Sequence, residues 1–285
     1  MFYLKLFLIY LISFSCFAKV LTFAVIGDAG YKNRHSEKVR YSIKKSKIKK
    51  LILPGDNLYD LSFTYDEVWG DWLRDDFDFS VVALGNHYLS FEEEMNFFDM
   101  PGEYFKKKIN GVNFIVLNSE NRLNIEEQSN FLKDELEKIS EKEQTFIVFH
   151  HPPATISYRH GWEERKEFHE ELRKTLTTNH HKIDAILVGH DHQASLFLYG
   201  KIPVIVSGAI FEYFPARRVN TTINNLRVKT VWAFDSGYFW TRLDIDTKKK
   251  VTWINFIDAY KDKVMCSIRV SKKSRMIIRN NCKRN

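Results

Sequence analysis

The sequence LILPGDNLYD, residues 51–60, places an apolar run, a Pro-Gly pair and a carboxylate within one short stretch. Such a run, bounded by Pro and Gly, is typical of a buried strand. Asp56 is therefore expected at the carboxyl end of that strand, with Tyr59 in the following loop. Ligand sites of open α/β sheets lie outside these strand ends. We expect Asp56 to bridge two metal ions; the alternative for this stretch alone is that Asp56 caps the next helix.

Other apolar runs in the chain also end in Asp, Asn or His. Parallel strands would bring these endings to one edge of a sheet. A single His at a strand end is more often structural. Carboxylates, an amide and several imidazoles at equivalent positions instead predict a metal site. The five endings are Gly27-Asp28, Gly55-Asp56, Gly85-Asn86-His87, His150-His151 and Gly189-His190-Asp191-His192.

The order of the apolar runs predicts an α/β fold. The distances from Asp28 to Asp56 and from Asp56 to Asn86 are each typical of a βαβ unit, which takes about 30 residues. An alternating, aromatic pattern from residue 231 onward predicts antiparallel strands covering one side. Besides the run before Asp56, the predicted strands are residues 20–27, 80–84, 112–117, 145–149, 183–188 and 202–206.

The composition is that of an ordinary globular protein, and the distribution of charge weakens the case for nucleic-acid binding. The 285 residues are 44% hydrophobic and 28% charged, with a formal charge of +7. Residues 261–285 contain nine Lys or Arg and one acid, so the rest of the chain is close to neutral. No domain break is evident before residue 260. We predict one domain over residues 19–260 and a basic extension over residues 261–285. In that extension, Cys266 and Cys282 are expected to staple a hairpin turning at residues 272–275.

The first 18 residues resemble a secretory signal peptide. They contain one Lys, an apolar run through Ile12 and small residues near Ala18. We expect cleavage after Ala18, export to a secreted or periplasmic location, and no membrane attachment afterwards. An uncleaved anchor is the alternative. An oxidising compartment would allow the remaining two cysteines to form a disulfide.

In the residue types and the order of these strand endings, the sequence resembles the calcineurin-like metallophosphoesterases. Within that superfamily it is most similar to the small, tartrate-resistant type of purple acid phosphatase. The resemblance covers about residues 20–208 and implies a four-layer αββα sandwich with two mixed β-sheets. Gly30 stands where most of the superfamily has His, and Tyr59 follows Asp56 at the spacing of the purple enzymes. The motifs are Asp28-Ala29-Gly30, Gly55-Asp56-Asn57-Leu58-Tyr59, Gly85-Asn86-His87, Ile147-Val148-Phe149-His150 and Gly189-His190-Asp191-His192.

The resemblance implies two metal ions that share Asp56. The anionic oxygens of the first site suit Fe(III). The second site is neutral apart from Asp56 and suits Fe(II), Zn(II) or Mn(II). The implied ligands are Asp28, Asp56, Tyr59 and His192 at the first site, and Asp56, Asn86, His150 and His190 at the second.

Three further histidines are candidates for catalysis. His87 is the first choice for stabilising the transition state or donating a proton, His160 the second and His151 the third. The alternatives are support of the ligands for His87 and His151, and a surface loop for His160. Tyr88 follows His87 where the purple enzymes usually have an acid, which puts the orientation of His87 in doubt.

The resemblance implies hydrolysis of phosphomonoesters by attack of a metal-bound hydroxide. The expected partner is a small phosphate ester, with no specific nucleic acid. A phosphodiesterase or nucleotidase on the same site is the alternative within the enzymes. A non-catalytic phosphate-binding or surface-attachment protein is the alternative from another class.

Overall fold

The computed structural model describes residues 20–234, 236–272, 277–280 and 282. Within these ranges the chain forms five α-helices, one short 3₁₀ helix (Trp162–Arg165) and two mixed β-sheets. The helices are α1 (Arg34–Lys45), α2 (Tyr65–Arg74), α3 (Phe91–Phe97), α4 (Ile125–Lys138) and α5 (Lys166–Thr178). The strands are β1 (Val20–Val25), β2 (Lys50–Pro54), β3 (Asp78–Ala83), β4 (Phe105–Ile109), β5 (Val112–Val116), β6 (Gln144–Val148), β7 (Ala185–Val188), β8 (Ala194–Tyr199), β9 (Ile202–Ser207), β10 (Asn220–Ile223), β11 (Leu226–Phe234), β12 (Phe239–Asp246), β13 (Val251–Asp258), β14 (Lys263–Ser271) and β15 (Ile277–Asn280).

The two sheets pack face to face between layers of helices, which confirms the predicted α/β four-layer sandwich. The first sheet has the order β15-β14-β13-β12-β1-β2-β3 and the second β10-β11-β8-β9-β7-β6-β5-β4. Apolar residues from both sheets, including Phe23 and Phe114, form the core between them. Separate cores join the first sheet to α1 and α2 and the second sheet to α4 and α5. Burial on both faces explains why the central strands read as continuous apolar runs.

The parallel strands form one end of the first sheet and the middle of the second. In the first sheet β1, β2 and β3 are parallel, and in the second β5, β6, β7 and β9 are parallel. The predicted strand endings are therefore divided between two sheets rather than lying along one. The two sheets approach closely at the carboxyl ends of these strands, where a Cβ atom on Gly27 would lie 2.9 Å from the Cα of Gly189. Only a residue without a side chain fits there.

The C-terminal segment continues the first sheet. β14 pairs with β13 along its length, and β15 returns antiparallel beside β14. Cys266 and Cys282 form a disulfide. The pairing places residues 263–271 inside the sheet, although the sequence set them apart as a basic extension. Residues 1–18, the predicted signal peptide, lie outside the described residues.

Candidate metal centre

The candidate ligands follow the carboxyl ends of strands from both sheets. Asp28, Asp56 and Asn86 follow β1, β2 and β3, and His150 and His190 follow β6 and β7. Four of the candidate ligands have positive φ angles, which non-glycine residues adopt rarely. Such strained conformations concentrate at functional sites, where the surrounding structure holds them. The four are Asp28 (56°), Asp56 (56°), His190 (66°) and His192 (48°).

Asp28 and Tyr59 meet at one side of this group. The Tyr59 hydroxyl lies 3.0 Å from Asp28 Oδ1 and 3.0 Å from His192 Nε2. The backbone N–H of His190 donates to the same Asp28 oxygen at 3.0 Å. Tyr59 thus contacts Asp28 and His192, two of the other three side chains predicted to hold the first metal. The hydrogen bond from His190 links Asp28 to the second sheet.

Asp56 and His150 meet at the other side. Asp56 Oδ1 accepts backbone hydrogen bonds from Asn86 (2.8 Å) and His87 (3.0 Å), which fix its orientation. His150 donates from Nδ1 to the carbonyl of Pro54 at 2.9 Å. Its Nε2 therefore faces Asp56 Oδ1 at 3.2 Å and Asn86 Oδ1 at 3.1 Å. A backbone acceptor that fixes the outer nitrogen of an imidazole is the usual way of aiming the other nitrogen at a metal.

Burial and mutual charge shift the pKa values of the two carboxyl groups in opposite directions. Burial, together with the charge of Asp56, raises the pKa of Asp28 to about 8, although His150 opposes this. Burial also acts to raise the pKa of Asp56, but the positive charge and hydrogen bond of His150 outweigh it, so the pKa falls. Burial would lower the pKa of His150, yet the charge of Asp56 raises it to about 9.

The other two imidazoles of the candidate ligand set, those of His190 and His192, are held neutral. Burial lowers the pKa of His190 to about 4 and that of His192 to about 3. Burial and the charge of Asp28 raise the pKa of the Tyr59 phenol well above its usual range. Neutral imidazoles have a free lone pair for a cation. A cation would also favour the ionised forms of Asp28 and Tyr59, because bound ions reverse the local effect of burial.

The donor set fits metal ions. Asp28 is fully buried, and among the described residues its Oδ2 has no hydrogen-bond partner. Ligand atoms of Asp28, Asp56 and His150 lie within 4.8 Å of one another. Carboxylate oxygens, a phenol, an amide oxygen and imidazoles are suitable ligands for iron, zinc and manganese. An orphaned buried carboxylate oxygen beside a second carboxylate is costly without a cation.

A cavity of about 240 Å³ opens over this group. Asp56, Asn86, His190 and His192 are among its lining residues, as are His87 and His160. His87 is exposed at the mouth, and its ring centroid lies 4.4 Å from that of Tyr59.

His151 does not line this cavity. It is buried, its Nδ1 lies 2.8 Å from Ser119 Oγ, and its ring centroid lies 4.2 Å from that of His190. This placement favours the alternative in which His151 supports a ligand. His160 is half-buried against His190, with ring centroids 4.1 Å apart, so it is not a free surface histidine.

Glu164 is a site residue that the sequence analysis missed. Its Oε2 lies 3.0 Å from His190 Nε2, and its Oε1 lies 3.2 Å from His160 Nδ1 and accepts from the Gly161 N–H at 3.0 Å. The hydrogen bond to His190 lowers the pKa of Glu164 to about 2. The spacing of four residues from His160 is the local signal that could have indicated it.

Gly30 has a structural role besides replacing the His of related sequences. A Cβ atom at this position would lie 2.2 Å from backbone atoms of Asn57 and Leu58. Its N–H donates to Asp56 O at 3.0 Å, and its carbonyl accepts from the Tyr59 N–H at 2.9 Å. These bonds hold the loop after β1 against the loop after β2.

Comparisons with known proteins agree with this geometry. A family model described as "Calcineurin-like phosphoesterase" matches residues 21–194. No curated protein sequence matches the chain significantly. GAP50, described as the anchor in the inner membrane complex of Plasmodium, is similar with a TM-score of 0.65 and 15% identity over 87% of each chain. A dimetal phosphatase from Danio rerio is similar with a TM-score of 0.56 and 13% identity over 83% of this chain and 96% of that one. At these identities the similarity shows a shared fold.

Proposed function

Because the chain belongs to the calcineurin-like phosphoesterase family, we propose that it is a binuclear-metal acid phosphatase that hydrolyses phosphomonoesters. The family has a binuclear metal site and acts on phosphate esters, and the His and Asp groups of this chain could hold metal ions. The observation that carries the proposal is the buried Asp28–Asp56–His150 group, of which Asp56 lines the cavity.

Each candidate ligand has a defined part in this proposal. Asp56 would be shared by the two sites, and the Asn86 and His87 N–H groups hold its Oδ1 in place. The first site would use Asp28, Tyr59 and His192 with Asp56. The second would use Asn86, His150 and His190 with Asp56. Two metal ions, when bound, would neutralise the phosphate and lower the pKa of water for attack on phosphorus.

The surrounding imidazoles would handle the leaving group. His87 lines the cavity and is exposed, and its imidazole N–H would donate to a phosphate oxygen or to the departing oxygen. His160 lies on the other side of the cavity, held by Glu164. General acid catalysis by a positioned imidazole contributes typically 10²–10⁴-fold, so loss of the right histidine should be visible in turnover.

The purple branch is the more specific part of the proposal. Tyr59 contacts both Asp28 and His192 through its hydroxyl, as a ligand shared with them would require. We propose Fe(III) at this site and Fe(II), Zn(II) or Mn(II) at the other. The oxidised iron-loaded protein should then be coloured by a tyrosinate charge-transfer band, and Tyr59→Phe should remove that band. A colourless, iron-loaded and active wild type would leave the family assignment intact and remove the purple branch.

Metal analysis with a phosphatase assay tests the function directly. We expect two bound metals per chain and turnover of p-nitrophenyl phosphate with a mildly acidic optimum. Turnover of bis(p-nitrophenyl) phosphate should be slower. Faster cleavage of the bis ester would replace the monoesterase by a phosphodiesterase. Asp56→Asn, which removes the shared carboxylate, is the inactive control.

The non-catalytic alternative is a surface-attachment protein on the same fold. GAP50 is described as an anchor, and its similarity to this chain extends to the fold. The buried ligand set favours the enzyme. A metal-loaded protein that turns over neither ester would support the attachment role.

Export is also part of the proposal. Residues 1–18 have the composition of a cleaved signal, and no helix among the described residues is long and apolar enough to cross a membrane. Mature protein recovered from outside the cytoplasm should begin at Lys19. A mature protein that still begins at Met1 would support the uncleaved anchor.

A further inference from the structure

Two aromatic side chains form one wall of the cavity mouth. Tyr31 and Phe211 both line the cavity, and their ring centroids lie 5.1 Å apart with an interplanar angle of 37°. Phe211 also contacts the ring of Tyr59 at 4.7 Å and that of His192 at 5.4 Å. The wall therefore begins at two candidate metal ligands and extends outward to Tyr31, which is 37% exposed.

Backbone hydrogen bonds of neighbouring residues anchor the two segments that carry these rings. Tyr31 follows Gly30, whose N–H and carbonyl are both bonded to the Asp56 loop. Phe211 lies between Ala209, whose carbonyl accepts from Phe239, and Phe214, whose N–H donates to His192 O at 3.0 Å. The anchored segments and the ring contacts with Tyr59 and His192 reduce the ordering that ligand binding would require, which favours binding.

Three other lining residues of the mouth are polar. Arg159 lies over the ring of Phe214 at 4.5 Å and 3.8 Å from Glu212. Arg159, Glu212 and His160 all line the cavity. Its volume of about 240 Å³ is below the usual 300–1,000 Å³ of pockets for drug-sized ligands. The space therefore suits a phosphate group with a small substituent rather than several fused rings.

We infer that Tyr31 and Phe211 select phosphate esters whose alcohol portion carries a single planar aromatic ring. With the phosphate at the metal ligands, the substituent can extend along the Phe211–Tyr31 wall, which begins beside Tyr59 and His192. A planar ring makes offset or edge contacts with aromatic side chains beyond simple area burial. The inference that these rings select substrates rests on the proposed function. The inference that they bind a planar ring does not.

Binding of non-hydrolysable phosphonates tests the inference without turnover. Calorimetry of the full chain loaded with iron and zinc would compare phenylphosphonate, cyclohexylphosphonate and inorganic phosphate. The wild type should bind phenylphosphonate about fivefold more tightly than cyclohexylphosphonate, in line with the worth of one aromatic pair. Tyr31→Leu should remove most of this preference and leave the affinity for inorganic phosphate unchanged. Tyr41→Leu, at an exposed tyrosine of α1 outside the cavity, should keep it.

A second variant tests the inference if Tyr31→Leu does not fold correctly. Phe211→Leu should reduce the same preference, and its affinity for inorganic phosphate shows whether the metal centre is intact. Equal binding of the two phosphonates by the wild type overturns the inference. The inference is also overturned if Tyr31→Leu and Phe211→Leu both keep the preference for phenylphosphonate, or if the wild type does not bind phenylphosphonate. A ring preference in a protein that hydrolyses no ester would refute the proposed function and leave the ring site standing.

Discussion

Replacing Asp28 by asparagine is expected to stabilise the metal-free protein at neutral pH. Asp28 is fully buried, and burial together with the charge of Asp56 raises its pKa from 3.8 to about 8. At about pH 7 the folded protein must therefore keep this carboxyl protonated. Each pH unit above the unfolded pKa costs about 1.4 kcal/mol, so the total is roughly 4 kcal/mol. Asparagine is neutral and avoids this cost. Its oxygen can still accept from the His190 N–H.

Because the pKa of Asp28 is raised, the stabilising effect of Asp28→Asn depends on pH. Because the folded-state pKa of Asp28 is raised, its contribution to stability is fully present below about pH 3.8. That contribution is lost as the pH rises toward about 8. Asp28→Asn should thus unfold at higher urea concentration than the wild type at about pH 7, both in EDTA. The two should become equal at about pH 4. Asp76→Asn, at a side chain that is 94% exposed, is the control and should change stability by less than about 0.5 kcal/mol.

Metal addition should reduce the stability difference between the variant and the wild type. A ligand at one hundred times its Kd stabilises the native state by about 2.7 kcal/mol. The wild type should gain this amount, whereas Asp28→Asn should gain less because it lacks a ligand. The reasoning fails if the variant is no more stable than the wild type at neutral pH without metal. It also fails if the difference is the same at both pH values.

Three further changes test other parts of the site. His87→Ala should keep bound metal and lose on the order of 10²-fold or more in kcat; unchanged kcat would exclude His87 from catalysis. Glu164→Gln should weaken binding of the metal held by His190 about 10- to 100-fold, measured by chelator competition, and an unchanged Kd would show that Glu164 does not position this ligand. Gly30→Ala should destabilise the protein by about 1–3 kcal/mol or more in urea, because its Cβ meets backbone at 2.2 Å. Gly102→Ala, whose Cβ would come no closer than 3.8 Å to the described residues, should be nearly neutral, and equal effects of the two glycine changes would contradict the clash.

The sequence predicted the central strands well and the peripheral ones less well. Central runs such as those of β1 and β6 are buried on both faces, so their composition alone identifies them. Three strands, β4, β8 and β10, were missed. β4 has three consecutive lysines, Lys106–Lys108, and lies at the edge of its sheet, where exposed lysines are common. β8 begins two residues after His192, with no turn signal to separate it.

The candidate ligands could be found from the sequence because each follows its strand directly. A residue that comes after a buried strand is placed by the strand itself, so Asp28, Asp56, Asn86, His150 and His190 were all readable locally. What the local pattern did not contain was the division of these endings between two sheets. That division depends on how the sheets pack, which brings Gly27 against Gly189.

The sequence by itself therefore determined the chemistry of the site: which carboxylates, imidazoles and phenol are available, and in what order. Only the tertiary structure decided which of them face the cavity. The sequence offered both His151 and His160 as catalytic candidates, and only His160 lines the cavity. Glu164 reaches His190, and Tyr31 reaches Phe211, across long separations in the chain. Contacts of this kind arise when two sheets and their loops pack together. No periodicity within a single segment records them, because periodicity reports which face of an element is buried and not what it is buried against.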